Sequence, residues 1–238
     1  MRRTLTALLL LLIAPLAAAA ATAEVLREGF TSRYALSYNG IEIGTTERNL
    51  IPLGDGSLVF KSTAYPTGLA AVLLSDRVVE RSLLKLANGG VRPVEYSFRQ
   101  SGGKHTREAD LYFSWPRGEL ITQPANRNVP LPVNAMDALS FQLALMRDLE
   151  AGKKSFVYQI ADRRRLREYR FEVQGTENVR TPQGRFDTVH VLAENAERDR
   201  NFEFWCAPAL GYLPVRIVYF DDGDESRLVL SGYRGPGD

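Results

Sequence analysis

Cys206 is the only cysteine in the 238-residue chain, and His105 and His190 are the only histidines that could activate it. A catalytic thiol must reach its thiolate form, which needs a nearby base and an electropositive setting. Cys206 lies in FWCAPALGYLPVRIVYF, on the same alternate positions as Phe202 and Phe204. That spacing describes a small hydrophobe on the buried face of a strand rather than a nucleophile. His105 falls in the glycine-rich stretch SGGKHTRE. His190 falls in FDTVHVLAEN, on the parity of Phe186 and Leu192. With no second cysteine, an internal disulfide is excluded.

Two further groups could make contacts. Trp205 and Arg216 each occupy the parity opposite their strand's apolar partners, so they would meet as a stacked pair or touch a ligand. Arg163, Arg164, Arg165 and Arg167 crowd into DRRRLREYRFEV. There Arg164 and Arg167 are the candidate contacts for an anionic head group or glycan, against a solvated, aggregation-resistant edge strand. Two distant histidines and one cysteine provide no zinc-ligand spacing. The chain has no phosphate loop, dinucleotide fingerprint or Gly-x-Ser-x-Gly elbow, and no cofactor is expected.

The elements that must carry these residues are mostly strands. Tyr34, Leu36 and Tyr38 share one parity; so do Val94, Tyr96 and Phe98, then Leu111, Phe113 and Trp115, and Tyr169, Phe171 and Val173. Polar residues fill the opposite positions, which is the signature of antiparallel strands packed on one side. Gly-Asp-Gly at 54–56, Asn-Gly-Gly at 88–90, Ser-Gly-Gly at 101–103 and Asp-Asp-Gly at 221–223 supply the hairpin turns. The pattern predicts a mainly β protein of about ten to twelve strands. Its long antiparallel meander is expected to curl into an open or partly closed barrel or spiral. After the leader, residues 24–238 form one such domain.

NAMDALSFQLALMRDLEAGKK, residues 134–154, breaks the alternation. It predicts one helix over about 134–151, capped by Asn134, with Asp137 in its first turn and Gly152 at its end. So broad an apolar surface must be buried, and the concave side of the sheet is the place for it. There the helix is either core filler or a lid over a ligand; Leu139, Leu143 and Met146, with Trp205 and Arg216, are the candidate contacts for such a ligand. A shorter apolar run, GLAAVLL at 68–74, predicts another helical turn near the same opening.

The chain opens MRRTLTALLLLLIAPLAAAAATAE, with Arg2 and Arg3 ahead of a short apolar core and Ala21-Thr22-Ala23 as a small-x-small cleavage site. This reads as a secretory signal peptide over residues 1–23, too short in its apolar part to remain as a membrane span. Its removal takes away two arginines and no acid, leaving 28 basic against 28 acidic side chains. Such a balance offers nucleic acid no global attraction.

YALSYNGIEIGTTERNL, RPVEYSFRQ followed by LYFSW, MDALSFQLALMRDL, and TPQGRFDTVHV leading into FWCAPALGYLPVRI together resemble the bacterial domain-of-unknown-function 3108 family, from about Tyr34 to Tyr233. Ser114 stands where that family often has an acid, so no role for the acid carries over. The resemblance implies a secreted, envelope-located β-protein and no established activity. By looser analogy the pattern is similar to periplasmic lipoprotein carriers and β-spiral envelope proteins. The expectation is therefore a periplasmic, non-enzymatic envelope protein, its narrower form holding a lipid or other apolar ligand in the concave sheet, with a lipid or envelope component as the candidate partner. The alternatives are a protein- or peptidoglycan-interaction module using a strand edge, and an envelope hydrolase.

Overall fold

The alternating segments form strands where the pattern places them, and two hairpin meanders account for nearly all of them. The structure, a computed structural model, describes residues 16–87, 90–103, 106–161, 165–195 and 200–237, with side chains from residue 22 onward. The first meander comprises β1 (Phe30–Tyr38), β2 (Ile41–Pro52), β3 (Ser57–Pro66), β4 (Arg77–Ala87), β5 (Gly90–Ser101), β6 (Arg107–Ser114), β7 (Glu119–Gln123) and β8 (Arg127–Pro130). The second comprises β9 (Ala135–Asp137), β10 (Ser155–Ala161), β11 (Leu166–Thr181), β12 (Gly184–Glu194), β13 (Arg200–Ala207), β14 (Leu213–Asp221) and β15 (Asp224–Arg234). β1 pairs with β15, so the two meanders fuse into one 15-stranded sheet with β8 and β9 at its edges. The short β7, β8 and β9 raise the number of strands above the expected ten to twelve.

Every pairing is antiparallel except β9 with β10. Asn39-Gly40 and Asp222-Gly223 turn their hairpins with positive φ at both central residues, 46° and 79° in the first and 52° and 91° in the second. That backbone twist matches the flanking strands and is cheap for Asn, Asp and Gly.

The helix in the hollow is α3 (Ser140–Glu150), shorter than the expected 134–151. Its N-terminal part was captured by the sheet. Asn134 donates its side-chain amide to the Val157 carbonyl, and residues 135–137 run parallel to β10. Asp137, not Asn134, then starts the helix. Its Oδ1 accepts the backbone N–H groups of Leu139 and Ser140 at 2.8 Å each, while Ser140 Oγ accepts the N–H of Asp137. This reciprocal arrangement satisfies donors that would otherwise be stranded at a buried helix end. Gly152 ends the helix with φ 76°, as expected.

Both halves of the sheet wrap α3. Phe141 packs against Phe171, Phe202 and Phe204 of the second meander, with ring centroids about 6 Å apart. From the first meander, Arg48 reaches Gln142 and Ser82 Oγ donates to Asp137 Oδ2 at 2.6 Å. The curl is thus held across its opening by side chains, since the sheet is not closed by a strand ladder. Leu143, Leu145, Met146 and Leu149 are also buried. At roughly 2 kcal/mol per buried side chain, these and Phe141 contribute on the order of 10 kcal/mol. A whole domain is stable by only about 5–15 kcal/mol, so α3 is core.

Two further helices precede α3 in the chain. α1 (Leu16–Glu28) buries Val25 and Leu26 and packs on β2, α3 and the turn at Pro208–Leu210. The expected cut after Ala23 falls within α1, upstream of both contacts. α2 (Ala70–Leu73) is the single turn expected within residues 68–74, and it buries none of its side chains.

Candidate functional site

β12, β13 and β14 place the chemically capable residues on two opposite faces. Val191, Phe204 and Ile217 form one cross-strand row toward the hollow; His190, Trp205 and Arg216 form the next row on the outer face. Cys206 pairs with Val189 and Pro214 on the inner side and has no exposed surface. Burial pushes its thiol well above the usual cysteine range, so it stays protonated and unreactive. A Cys206–His190 dyad is not assembled, because the strand lies between them.

The outer row is a stacked polar cluster. The His190 ring lies on Trp205 at 4.5 Å and 5° from parallel, and the Arg216 guanidinium sits 5.1 Å from the same indole. Because His190 and Arg216 come from the strands on either side, the indole is sandwiched and only 8% exposed. Its N–H donates to Glu177 at 2.8 Å. His190 Nδ1 lies 3.2 Å from Glu177, and Nε2 lies 2.8 Å from Glu203. A protonated His190 donates to both carboxylates; a neutral ring donates to one. The stacked pair expected from parity is present, and it recruits three residues that parity did not single out: His190, Glu177 and Glu203. Only the register of four strands brings these together. The arrangement fastens β11 to β14 and leaves neither face of Trp205 open to a ligand.

A second polar group lies on the inner side. Arg48 is buried over the Tyr34 ring at 5.2 Å and donates to Gln142, while Tyr34 donates to the Pro214 carbonyl. Burial lowers the Arg48 pKa, opposed by Tyr34 and Glu80, and raises that of Tyr34. Asp137 is fully buried, and desolvation lifts its carboxyl to about 6 despite the donors from Ser82, Ser140 and Leu139. The Tyr34–Pro214 and Ser82–Asp137 bonds each join the two halves of the sheet, and Arg48 ties β2 to α3.

The remaining candidates are dispersed. Leu139, Leu143 and Met146 are at most 1% exposed and face the packed interior. The solvated-edge expectation does not hold for Arg167: β11 lies between β10 and β12, and the Arg167 side chain is buried on the parity of Tyr169 and Phe171. A buried guanidinium there would meet an anion only inside the curl. Arg164 and His105 lie outside the described residues. Two surface depressions stand out, neither in the hollow. One, of about 380 Å³, is lined by Gln183, Phe186, Leu210, Tyr233 and Arg234. The other, of about 540 Å³, lies between the α2 segment and the β5–β6 turn, where Leu73, Leu74, Asp76, Gln100 and Arg107 meet. Among the described residues, no three His, Cys, Asp or Glu side chains group as a metal site, and no helix is long and apolar enough to cross a membrane.

Fold and site together define an open, curled antiparallel β-sheet protein wrapped around its own apolar helix. The chain belongs to the DUF3108 family, described as a protein of unknown function, whose model matches residues 33–230. No curated protein matches it in sequence. In fold it is similar to the crystal structure of a beta-barrel-like protein of domain of unknown function DUF1849 from Brucella abortus, with TM-score 0.59 and 11% identity over 89% of this chain and 100% of that one. The crystal structure of MucB aligns with TM-score 0.39 and 13% identity, over 93% of this chain and 58% of that one.

Proposed function

We propose that the protein is an exported, non-enzymatic component of the bacterial cell envelope that works through its outer surface and rim. The observation that carries this reading is the occupied hollow: α3 fills the concave side with its own hydrocarbon. The signal-like residues 1–23 support export to the periplasm. The separation of Cys206 from His190 by the sheet supports a non-enzymatic role. A lipid held beneath α3, touching Leu139, Leu143 and Met146, is the narrower form of the reading. It would require lifting a helix whose burial is worth on the order of 10 kcal/mol. Strand addition at an edge is poorly served. β8 has four residues, carries Arg127 and ends in Pro130, and β9 is buried. Short, charged and proline-bearing edges resist pairing.

Fractionation with N-terminal sequencing tests the export half. The expected result is a periplasmic chain beginning at Glu24, and an uncut cytoplasmic chain would end the proposal. Native mass spectrometry of protein released from the periplasm tests the filled hollow. The bare polypeptide mass is expected, and a stoichiometric lipid adduct would overturn it.

A further inference from the structure

The rim that carries the β1–β2, β3–β4 and β5–β6 turns has an apolar protrusion unlike the rest of the surface. Leu69, Val72 and Leu73 are 88%, 82% and 86% exposed, and Leu74 and Ile41 are exposed at the same end. Scattered exposed leucines are ordinary, but several side by side on one short projection are not. From Thr67 to Ser75 the chain has no charged side chain.

Three features identify what this tip fits. None of the side chains of its single helical turn is buried, so a protein partner would have to supply a socket around it. A lipid interface surrounds a projection without any such fit. Much of its backbone is already satisfied: the N–H groups of Thr67, Ala71, Val72 and Leu74 donate to the carbonyls of Ile43, Gly68, Leu69 and Ala70. Satisfied amides are the condition for entering a medium with little water. Finally, the exposed Arg77 and Arg107 flank it, and Arg107 lines the groove beside Leu73 and Leu74. Of the acids at this rim, Asp76 lines the same groove and accepts from Gln100, Glu108 and Asp110 lie on Arg99, and Glu42 is exposed beside Ile41.

We propose that the α2 tip is a membrane-docking element: Leu69, Val72 and Leu73 enter the interface of a bilayer, and Arg77 and Arg107 meet its anionic head groups. This deepens the envelope reading by naming the surface that the protein contacts. The insertion is shallow and reversible, as for interfacial apolar segments, and each cation adds through the surface potential.

Vesicle flotation of the full mature chain tests this, using phosphatidylcholine with and without about one third phosphatidylglycerol. The protein is expected to float with the anionic vesicles. L69S/V72S/L73S should weaken partitioning at least about tenfold. R77Q/R107Q should weaken it on the order of tenfold, on anionic vesicles only. All five positions are exposed, so both variants should melt with the wild type. Independently, L73W should show blue-shifted emission on adding vesicles. Equal flotation of wild type and triple variant, or an unshifted Trp at position 73, overturns the proposal. So does indifference to vesicles with α2-dependent capture of an envelope protein instead. Because flotation uses purified protein, it can fail while export stands, and the reverse.

Discussion

Replacing Asp137 with Asn should remove a pH dependence of stability that this one carboxyl imposes. The group is fully buried, and its pKa rises from 3.8 to about 6 on folding, chiefly through desolvation. Between those values the folded chain binds the proton that the unfolded chain has released. The stability conferred is therefore complete below pH 3.8 and is lost as pH climbs through about 6. A shift of roughly two units is worth about 3 kcal/mol. Asn keeps the geometry: its carbonyl accepts from Leu139 and Ser140, and its amide donates to Ser82 Oγ. It carries no charge at any pH. Guanidinium unfolding of both proteins should show the wild type losing about 2.4 kcal/mol relative to D137N between pH 4 and pH 7. Taking the difference cancels the titration of the other carboxylates. A difference constant within about 0.5 kcal/mol across that range would refute the reasoning. D137A supplies the control, because it strands the Ser82 hydroxyl and two helix N–H groups. Relative to D137N it should be destabilised at both pH values by about 2–4 kcal/mol.

Three other outcomes follow from the packing. Cys206 should resist a thiol reagent at pH 8 in the native state and react fully in guanidinium, since it is buried and its thiol is held protonated. Phe141→Ala removes the ring that touches Phe171, Phe202 and Phe204 and should cost about 3–5 kcal/mol in denaturant titrations. Phe141→Leu should cost less. His190→Ala uncovers one face of Trp205 and leaves Glu177 and Glu203 without the ring between them. It should cost about 1–2 kcal/mol and red-shift the native tryptophan emission, and unchanged emission would mean that the indole is not sandwiched in solution.

Alternation along the chain determined the strands, their inward faces and the burial of Cys206, because a period of two is a local property that needs no knowledge of neighbours. The breadth of apolar residues in 134–151 likewise determined that a helix would be buried in the hollow. Neither local signal could place the helix start. Asn134 and Asp137 are both good caps, and only pairing with β10 decided that residues 135–137 belong to the sheet. The row His190–Trp205–Arg216 depended on the register of three strands, and Glu177 on a fourth; register is an agreement between distant segments that one segment does not encode. Arg167 looked like an edge charge because its neighbours are basic, but the strand's place between β10 and β12 turned it inward. Most consequentially, apolar sequence describes the tip at 68–74 and the helix at 140–150 in the same terms. Tertiary structure alone distinguished them, by wrapping a sheet around one and leaving the other in water.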